Sequence, residues 1–449
     1  MYERRKILEL FDTQQDFVDK KVNDGIEQNR KGYAKITITD KNGIYIKGAE
    51  IVASQKSHEF RFGANIFMLD ELETEEKNEK YKKYFADLFN MATLPFYWDA
   101  LEPNKGSPRY AKDSEKVYRR PAPDLCIDFC EKHGIEPREH ALAYDQFFPK
   151  WIKDLSVSEV KDLLRNRYRE IADRYADKIP TIEVTNEMAW TKGKSKFYDE
   201  NDYVEWCFKV AREYFPNNQL VINDTTNLSW NDKGRATDKY YAYIEANILK
   251  GAPVDAIGMQ YHLFNKRETE YEDTRRTLNP RALYKHMDLY ASLGKPLQIT
   301  EVTVPALSWE MQDELIQAEL IEKLYSIWFS HPAVEQIVYW NLVDGYAHLW
   351  DPDPAKIAAS QGDMSLGENY YHGGLLRFDL SPKPAYNKIY ELINKRWHTE
   401  EKLLSDENGL VEFKGFYGKY NLNISVNGQT ITKEINLSKK ADNSFNITI

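Results

Sequence analysis

The apolar positions of the chain follow two periods. Residues 1 to about 30 place Ile7, Phe11, Val18 and Val22 at near-helical spacing among charges, which predicts a packing helix closed by Gly32. From Tyr33 the period drops to two. Lys35-Ile36-Thr37-Ile38-Thr39, a turn at Asp40-Lys41-Asn42-Gly43, Ile44-Tyr45-Ile46 and Ala49-Glu50-Ile51-Val52 predict short antiparallel strands. The far end repeats the pattern at 410–413, at 420–426 and, after a turn at Asn427-Gly428, from 430 to 449. Neither strand set carries enough apolar surface for its own core, so the two are expected to meet in one small β-sandwich.

Between these ends, strand-like and helix-like patterns alternate eight times. Strands are expected at 60–66, 91–96, 137–143, 181–187, 220–224, 254–262, 297–301 and 334–342. Helix punctuation fills the gaps: Ser156-Val157-Ser158-Glu159 is a capping-box sequence, and Gly134 and Gly294 stand where helices should stop. Eight βα units close more readily into a barrel than into an open sheet. The expected α/β architecture is a (β/α)8 TIM barrel over 60–398. Residues 1–59 supply an N-terminal helix and strands, and 399–449 the strands that complete the sandwich.

Composition narrows the partner. A formal net charge of −10 argues against nucleic acid or an anionic membrane, which need basic patches. A neutral substrate fits that charge better, and aromatic residues, 13% of the chain and more than a core requires, offer faces of the kind that stack on sugar rings, a signal of composition alone. No run of 18 apolar residues occurs. Met1 to Lys6 leads into an amphipathic pattern instead of an export segment, so the chain as written is expected in the cytoplasm, or outside the cell had a leader been removed. Cys126 and Cys130 lie four apart on an expected helix face, where a bridge is conceivable; buried free thiols, Cys207 included, are the preferred reading.

The chemistry sits at two strand ends. Thr181-Ile182-Glu183-Val184-Thr185 runs into Asn186-Glu187, and Leu297-Gln298-Ile299-Thr300 into Glu301. A Glu after a strand also serves as a first-turn helix charge. In a parallel barrel, however, strand C-termini gather on one face, so the two carboxyl groups can meet there. Cleavage of a glycosidic bond needs such a pair: one carboxyl to protonate the leaving oxygen, one carboxylate to trap the anomeric carbon. No metal-ligand cluster or cofactor motif accompanies them, and neither metal nor cofactor is expected.

Phe62-Gly63-Ala64, Trp98-Asp99-Ala100-Leu101-Glu102-Pro103, His140-Ala141-Leu142, Thr185-Asn186-Glu187, Ile222-Asn223-Asp224, Gln260-Tyr261-His262, Ile299-Thr300-Glu301 and Lys383-Pro384-Ala385-Tyr386 occur in an order that resembles glycoside hydrolase family 10 over about residues 60–395. That family comprises retaining barrels best known as endo-β-1,4-xylanases. The resemblance implies that Glu187 is the acid/base and Glu301 the nucleophile. It also implies that Asn186 meets the 2-hydroxyl of the cleaved sugar, that His262 orients the nucleophile with Gln260 nearby, and that Trp340 is a sugar-stacking floor with Trp350 as a further wall. Helix capping competes for Asn186, and core packing for Trp340. The chain also departs from the pattern. Thr93-Leu94-Pro95-Phe96-Tyr97-Trp98 lacks the family's charged sugar clamps, leaving Tyr97 and Trp98 as candidate contacts, and Asp145 replaces an imidazole expected beside the reacting sugar. The expected function is a retaining β-glycoside hydrolase nearest to endo-β-1,4-xylanase. The alternatives are the same barrel retuned to a non-xylan glycan or glycoside conjugate, or a sugar-binding protein without catalysis.

Overall fold

The computed structural model describes residues 3–189, 193–230, 238–350 and 362–449. After helical segments that end at Asn29 come two strands, β1 (Lys31–Thr39) and β2 (Glu50–His58). Eight follow with helices between them: β3 (Arg61–Asn65), β4 (Met91–Pro95), β5 (Glu136–His140), β6 (Thr181–Asn186), β7 (Gln219–Asp224), β8 (Ala256–His262), β9 (Leu297–Thr303) and β10 (Val334–Tyr339). The chain ends in β11 (Glu400–Leu404), β12 (Leu410–Phe416), β13 (Gly418–Val426), β14 (Gln429–Leu437) and β15 (Ser444–Thr448). Strands β3 to β10 form a closed barrel in chain order, with β10 pairing parallel to β3. The alternating pattern therefore yields a (β/α)8 barrel, and all eight strand C-termini open onto one mouth.

The remaining strands interleave the two ends of the chain. One sheet has the order β12-β1-β15 and the other β11-β2-β13-β14. A single cluster of buried side chains joins the sheets, including Ile36 and Ile38 of β1, Ile51 of β2, Phe413 of β12, and Leu422 and Ile424 of β13. Alternation accounts for this, because every second residue of β1 and β13 is buried while its neighbours face outward.

Local signals held at several points. Ser156 and Glu159 form a complete capping box on helix Val157–Tyr175, and Gly134 caps helix Pro123–His133 in the left-handed conformation. All three cysteines are free and buried. Two expectations shift. The N-terminal helix ends at Asn29, and Gly32 lies inside β1, where an added Cβ would sit 2.5 Å from the Tyr417 ring. Residues 44–46 make one bridge, Thr39 to Tyr45, instead of a strand, while the mostly exposed β11 gave no period-two signal. The N-terminal segment is fastened to the barrel by Arg4, whose buried guanidinium bonds Glu270 at 2.8 Å and the carbonyls of Pro305 and Ala306. Among the described residues no helix is long and apolar enough to cross a membrane.

Candidate active site

A cavity of about 310 Å³ opens at the barrel mouth, and its lining includes both Glu187 and Glu301. Glu187 follows directly on β6 with φ of +55°, a left-handed conformation uncommon for a side chain of its size. Such backbone costs on the order of 1–3 kcal/mol and persists where the surrounding structure holds it. Tyr144 Oη donates to Glu187 Oε2 at 2.6 Å. One amide nitrogen, Gln260 Nε2, reaches Glu187 Oε1 at 3.1 Å and Glu301 Oε1 at 3.0 Å. That bridge holds the two oxygens closer than the roughly 6.5–9.5 Å that an inverting pair keeps open for water.

Glu301 lies deeper. It is contacted by Asn223 Nδ2 at 3.1 Å, Gln260 Nε2 and His262 Nε2 at 3.2 Å. Burial pushes its pKa up to about 8; the charges of Glu183 and Glu187 add to the shift, while His140 and Arg138 draw it back. Those three nitrogens favour the opposite state, since hydrogen bonds to a carboxylate stabilise its anion. Burial also lowers His262 to about 4, so the ring is neutral at pH 7. Thr303 Oγ1 lies 2.8 Å from its Nδ1. With the threonine hydroxyl donating there, Nε2 carries the ring proton toward Glu301.

Beneath the pair is a charged layer. Arg138 and His140 alternate along β5 and so face the same way, toward Glu183 of β6. Arg138 pairs with Glu183, and His140 Nδ1 lies 2.8 Å from its Oε1. Although burial pushes Glu183 up, His140 and Arg138 hold it below the usual carboxylate range. His140 Nε2 meets Tyr97 Oη at 2.9 Å, carrying the chain of contacts back to the cavity wall. Asn223 joins the layers, donating to Glu183, Asn186 and Glu301, while Thr300 Oγ1 fixes its amide by donating to Oδ1 at 2.7 Å. Gly258 on β8 makes room for it, because a Cβ there would stand 2.6 Å from Asn223 Oδ1. His140, Glu183 and Glu301 place ligand-type atoms within 4.8 Å of one another. Arg138 already supplies the positive charge that a metal would bring, so the donor set does not call for an ion.

Tyr97, Asn186, Gln260, His262 and Trp340 all line the cavity with the two carboxyl groups. Asn186 Oδ1 accepts from Asn223 and Gln260, which leaves its NH₂ as the end able to donate to a sugar hydroxyl. Trp340 packs edge-on to Phe67, His140 and His262. Three expected contacts lie elsewhere. Asp145 opens a 3-10 turn, and its buried carboxylate accepts from Ser195 Oγ and from the backbone N–H groups of Lys194 and Ser195. It therefore holds the Lys194–Ser195 segment and does not line the cavity. Trp98 donates to Glu102 at 2.7 Å and packs edge-on to Phe148 and Trp151, away from the cavity. Trp350 is 66% exposed and does not line the cavity. Phe96 and Leu94 are buried in the core.

The site also holds residues that strand patterns did not nominate. Tyr144, Arg119, Arg120, Phe264 and Glu368 line the cavity, and Arg138 and Glu183 support it from below. A Glu in the middle of a β-branched run, and charged residues two apart on the neighbouring strand, were the available signals for the buried layer. The arginines lie on a patternless loop and gave none.

Comparison with known proteins adds family and fold. The profile of Glycosyl hydrolase family 10 matches residues 53–392. Endo-1,4-beta-xylanase 1 of Arabidopsis thaliana is 25% identical over 383 residues, covering 83% of this chain and 34% of that protein. Anti-sigma-I factor RsgI6 of Acetivibrio thermocellus is 25% identical over 411 residues, covering 91% of this chain and 46% of that protein. The chain thus spans less than half the length of either relative. The solved structure of xylanase 10B from Thermotoga petrophila in complex with xylobiose superposes with a TM-score of 0.57 at 23% identity, covering 75% of this chain and 95% of that one.

Proposed function

Because the chain belongs to glycosyl hydrolase family 10, we propose that it is a retaining β-glycosidase acting on a β-linked glycan, with a β-1,4-xylan backbone the nearest substrate. The observation that carries this reading is the Gln260 amide touching both carboxyl groups, which keeps their facing oxygens nearer than the roughly 6.5 Å at which inverting pairs begin and so favours a covalent intermediate. In the first step Glu301 attacks the anomeric carbon, the glycosidic C–O bond breaks, and a proton from Glu187 goes to the leaving oxygen. In the second, Glu187 takes a proton from water, the water oxygen bonds to the anomeric carbon, and Glu301 leaves as a carboxylate. His262 and Asn223 hold the nucleophile in place, and Asn186 offers its NH₂ to the 2-hydroxyl. Retention of this machinery argues against a protein that only binds sugar, which needs no nucleophile.

Chemical rescue separates the two roles. Glu187→Ala should still react with aryl glycosides whose leaving group needs no proton, then stall as a glycosyl-enzyme visible as added mass on the Glu301 peptide. Azide should restore release. Azide rescue confined to Glu301→Ala would reverse the roles, and a wild-type protein that binds β-glycans yet cuts none would favour the sugar-binding reading.

A further inference from the structure

The strand end that lacks charged clamps is not short of positive charge. The loop following β4 returns Arg119 and Arg120 to the cavity, where both line the wall near Tyr97. Arg119 is 3% exposed and has φ of +60°. Its Nη1 donates to Asn341 Oδ1 at 2.6 Å and to the Tyr346 carbonyl at 2.5 Å, while its buried Nε has no hydrogen-bond partner among the described residues. Arg120 lies over the Tyr97 ring at 3.6 Å from its centroid and donates Nη1 to the Arg119 carbonyl at 2.9 Å. Among the described residues neither guanidinium is ion-paired with a carboxylate.

Such an arrangement is costly for a site that takes neutral sugar alone. A guanidinium carries five donors in a planar fork, and a largely desolvated one is best satisfied by a bidentate carboxylate. Glu368 feels the charge of Arg119 and Asp99 that of Arg120, yet among the described residues no carboxylate pairs directly with either fork. Glu187 and Glu301 are bonded to Tyr144, Gln260, Asn223 and His262, and Glu368 accepts from Asn341 Nδ2 at 3.2 Å. Tyr97 holds the Arg120 fork by its ring face and is itself fixed through its hydroxyl to His140. The clamp is therefore built on the same rigid layer as the nucleophile.

We propose that Arg119 and Arg120 form an anion clamp that selects a glycan carrying a carboxylate, a uronic acid unit seated in the catalytic cavity. This inference rests on the glycosidase reading above and adds the charge of its substrate. Arg120 is the specificity-determining residue, and Arg119 positions it through the shared backbone and the Asn341 contact.

The test uses one β-linked oligosaccharide in three forms: with a uronic acid unit, with that carboxylate as its methyl ester, and with a sulfate ester instead. Wild-type kcat/KM should favour the free acid over the methyl ester by about ten- to a hundredfold, the range of a charged hydrogen bond, and added salt should reduce the ratio. Arg120→Gln should bring the ratio near unity through KM, and Arg120→Lys should restore part of it. Equal or better cleavage of the methyl ester by wild type would overturn the proposal, as would a ratio that Arg120→Gln leaves intact. A preference for the sulfate ester would overturn the carboxylate assignment. Calorimetric binding of the same three compounds to Glu301→Gln reads the clamp without turnover. If no form is cut yet the acid binds best, the glycosidase reading fails and the clamp stands; if all are cut and bound alike, the clamp alone fails.

Discussion

The barrel mouth and the terminal sandwich are held together by opposite means. The sandwich core is apolar, filled by residues such as Ile36, Ile51, Leu422 and Ile424. Beneath the mouth, by contrast, the barrel interior buries Arg138, Glu183, His140 and Asn223, with Gln298 and Gln336 bonded to each other lower down. Barrel interiors are more commonly packed with branched apolar side chains. Buried ion pairs stabilise little after desolvation, and removing one partner is severe. The contrast shows where this molecule obtains stability and where it gives stability up for function: the sandwich should tolerate apolar loss without touching chemistry, whereas the buried polar layer should not tolerate loss of a single charge.

Three measurements would break or sharpen that contrast. The largest effect is expected at Glu183→Leu, which leaves Arg138 as an uncompensated buried charge; a loss of about 3–5 kcal/mol is expected by denaturant unfolding, together with a fall in kcat. Unchanged stability would mean that the layer is dispensable to the fold. Next, Leu422→Ala in the sandwich should cost about 2–5 kcal/mol while kcat/KM at 25 °C stays as in wild type. A parallel loss of activity would show that sandwich and site are coupled.

The smallest effect is a pH dependence. Because the folded-state pKa of Glu301 is raised to about 8, its neutral form is favoured by folding. That contribution is full below the ordinary carboxylate range and is lost as pH rises from about 4.5 to about 8. Glu301→Gln has no such titration, so its melting temperature relative to wild type should climb by a few degrees between pH 5 and pH 8. Asp224, pushed up to about 7 chiefly by burial, titrates in both proteins and cancels in the difference. A flat difference would mean that Asn223, Gln260 and His262 keep Glu301 ionised throughout.

The fold was readable because period and punctuation agree along the chain. The strand-end pair Glu187 and Glu301 was readable because both follow apolar runs and both end at a mouth that the βα alternation creates. Asp145 and Trp98 lie off the cavity for one reason: their motif places them at the mouth, but the direction a side chain takes is set by the 3-10 turn or short helix it occupies. The 3-10 turn at Asp145–Phe147 aims that carboxylate at Lys194 and Ser195. Arg119 and Arg120 belong to a segment with no periodicity, and only the three-dimensional path of that loop returns them to Tyr97.

The interleaved sheets also set a timetable for synthesis. Strand β1 pairs with β12 on one side and with β15 on the other, so an element finished by residue 39 cannot acquire both neighbours until Thr448 has been made. Through most of translation its open edges are templates for wrong pairing. The outward-facing Lys35, Thr37 and Thr39 of β1 are the kind of polar residues that discourage it. A nascent chain extended past Trp397 but stopped before β12 should therefore carry the residues of the barrel core and an unsheltered β1, the species on which a chaperone would act.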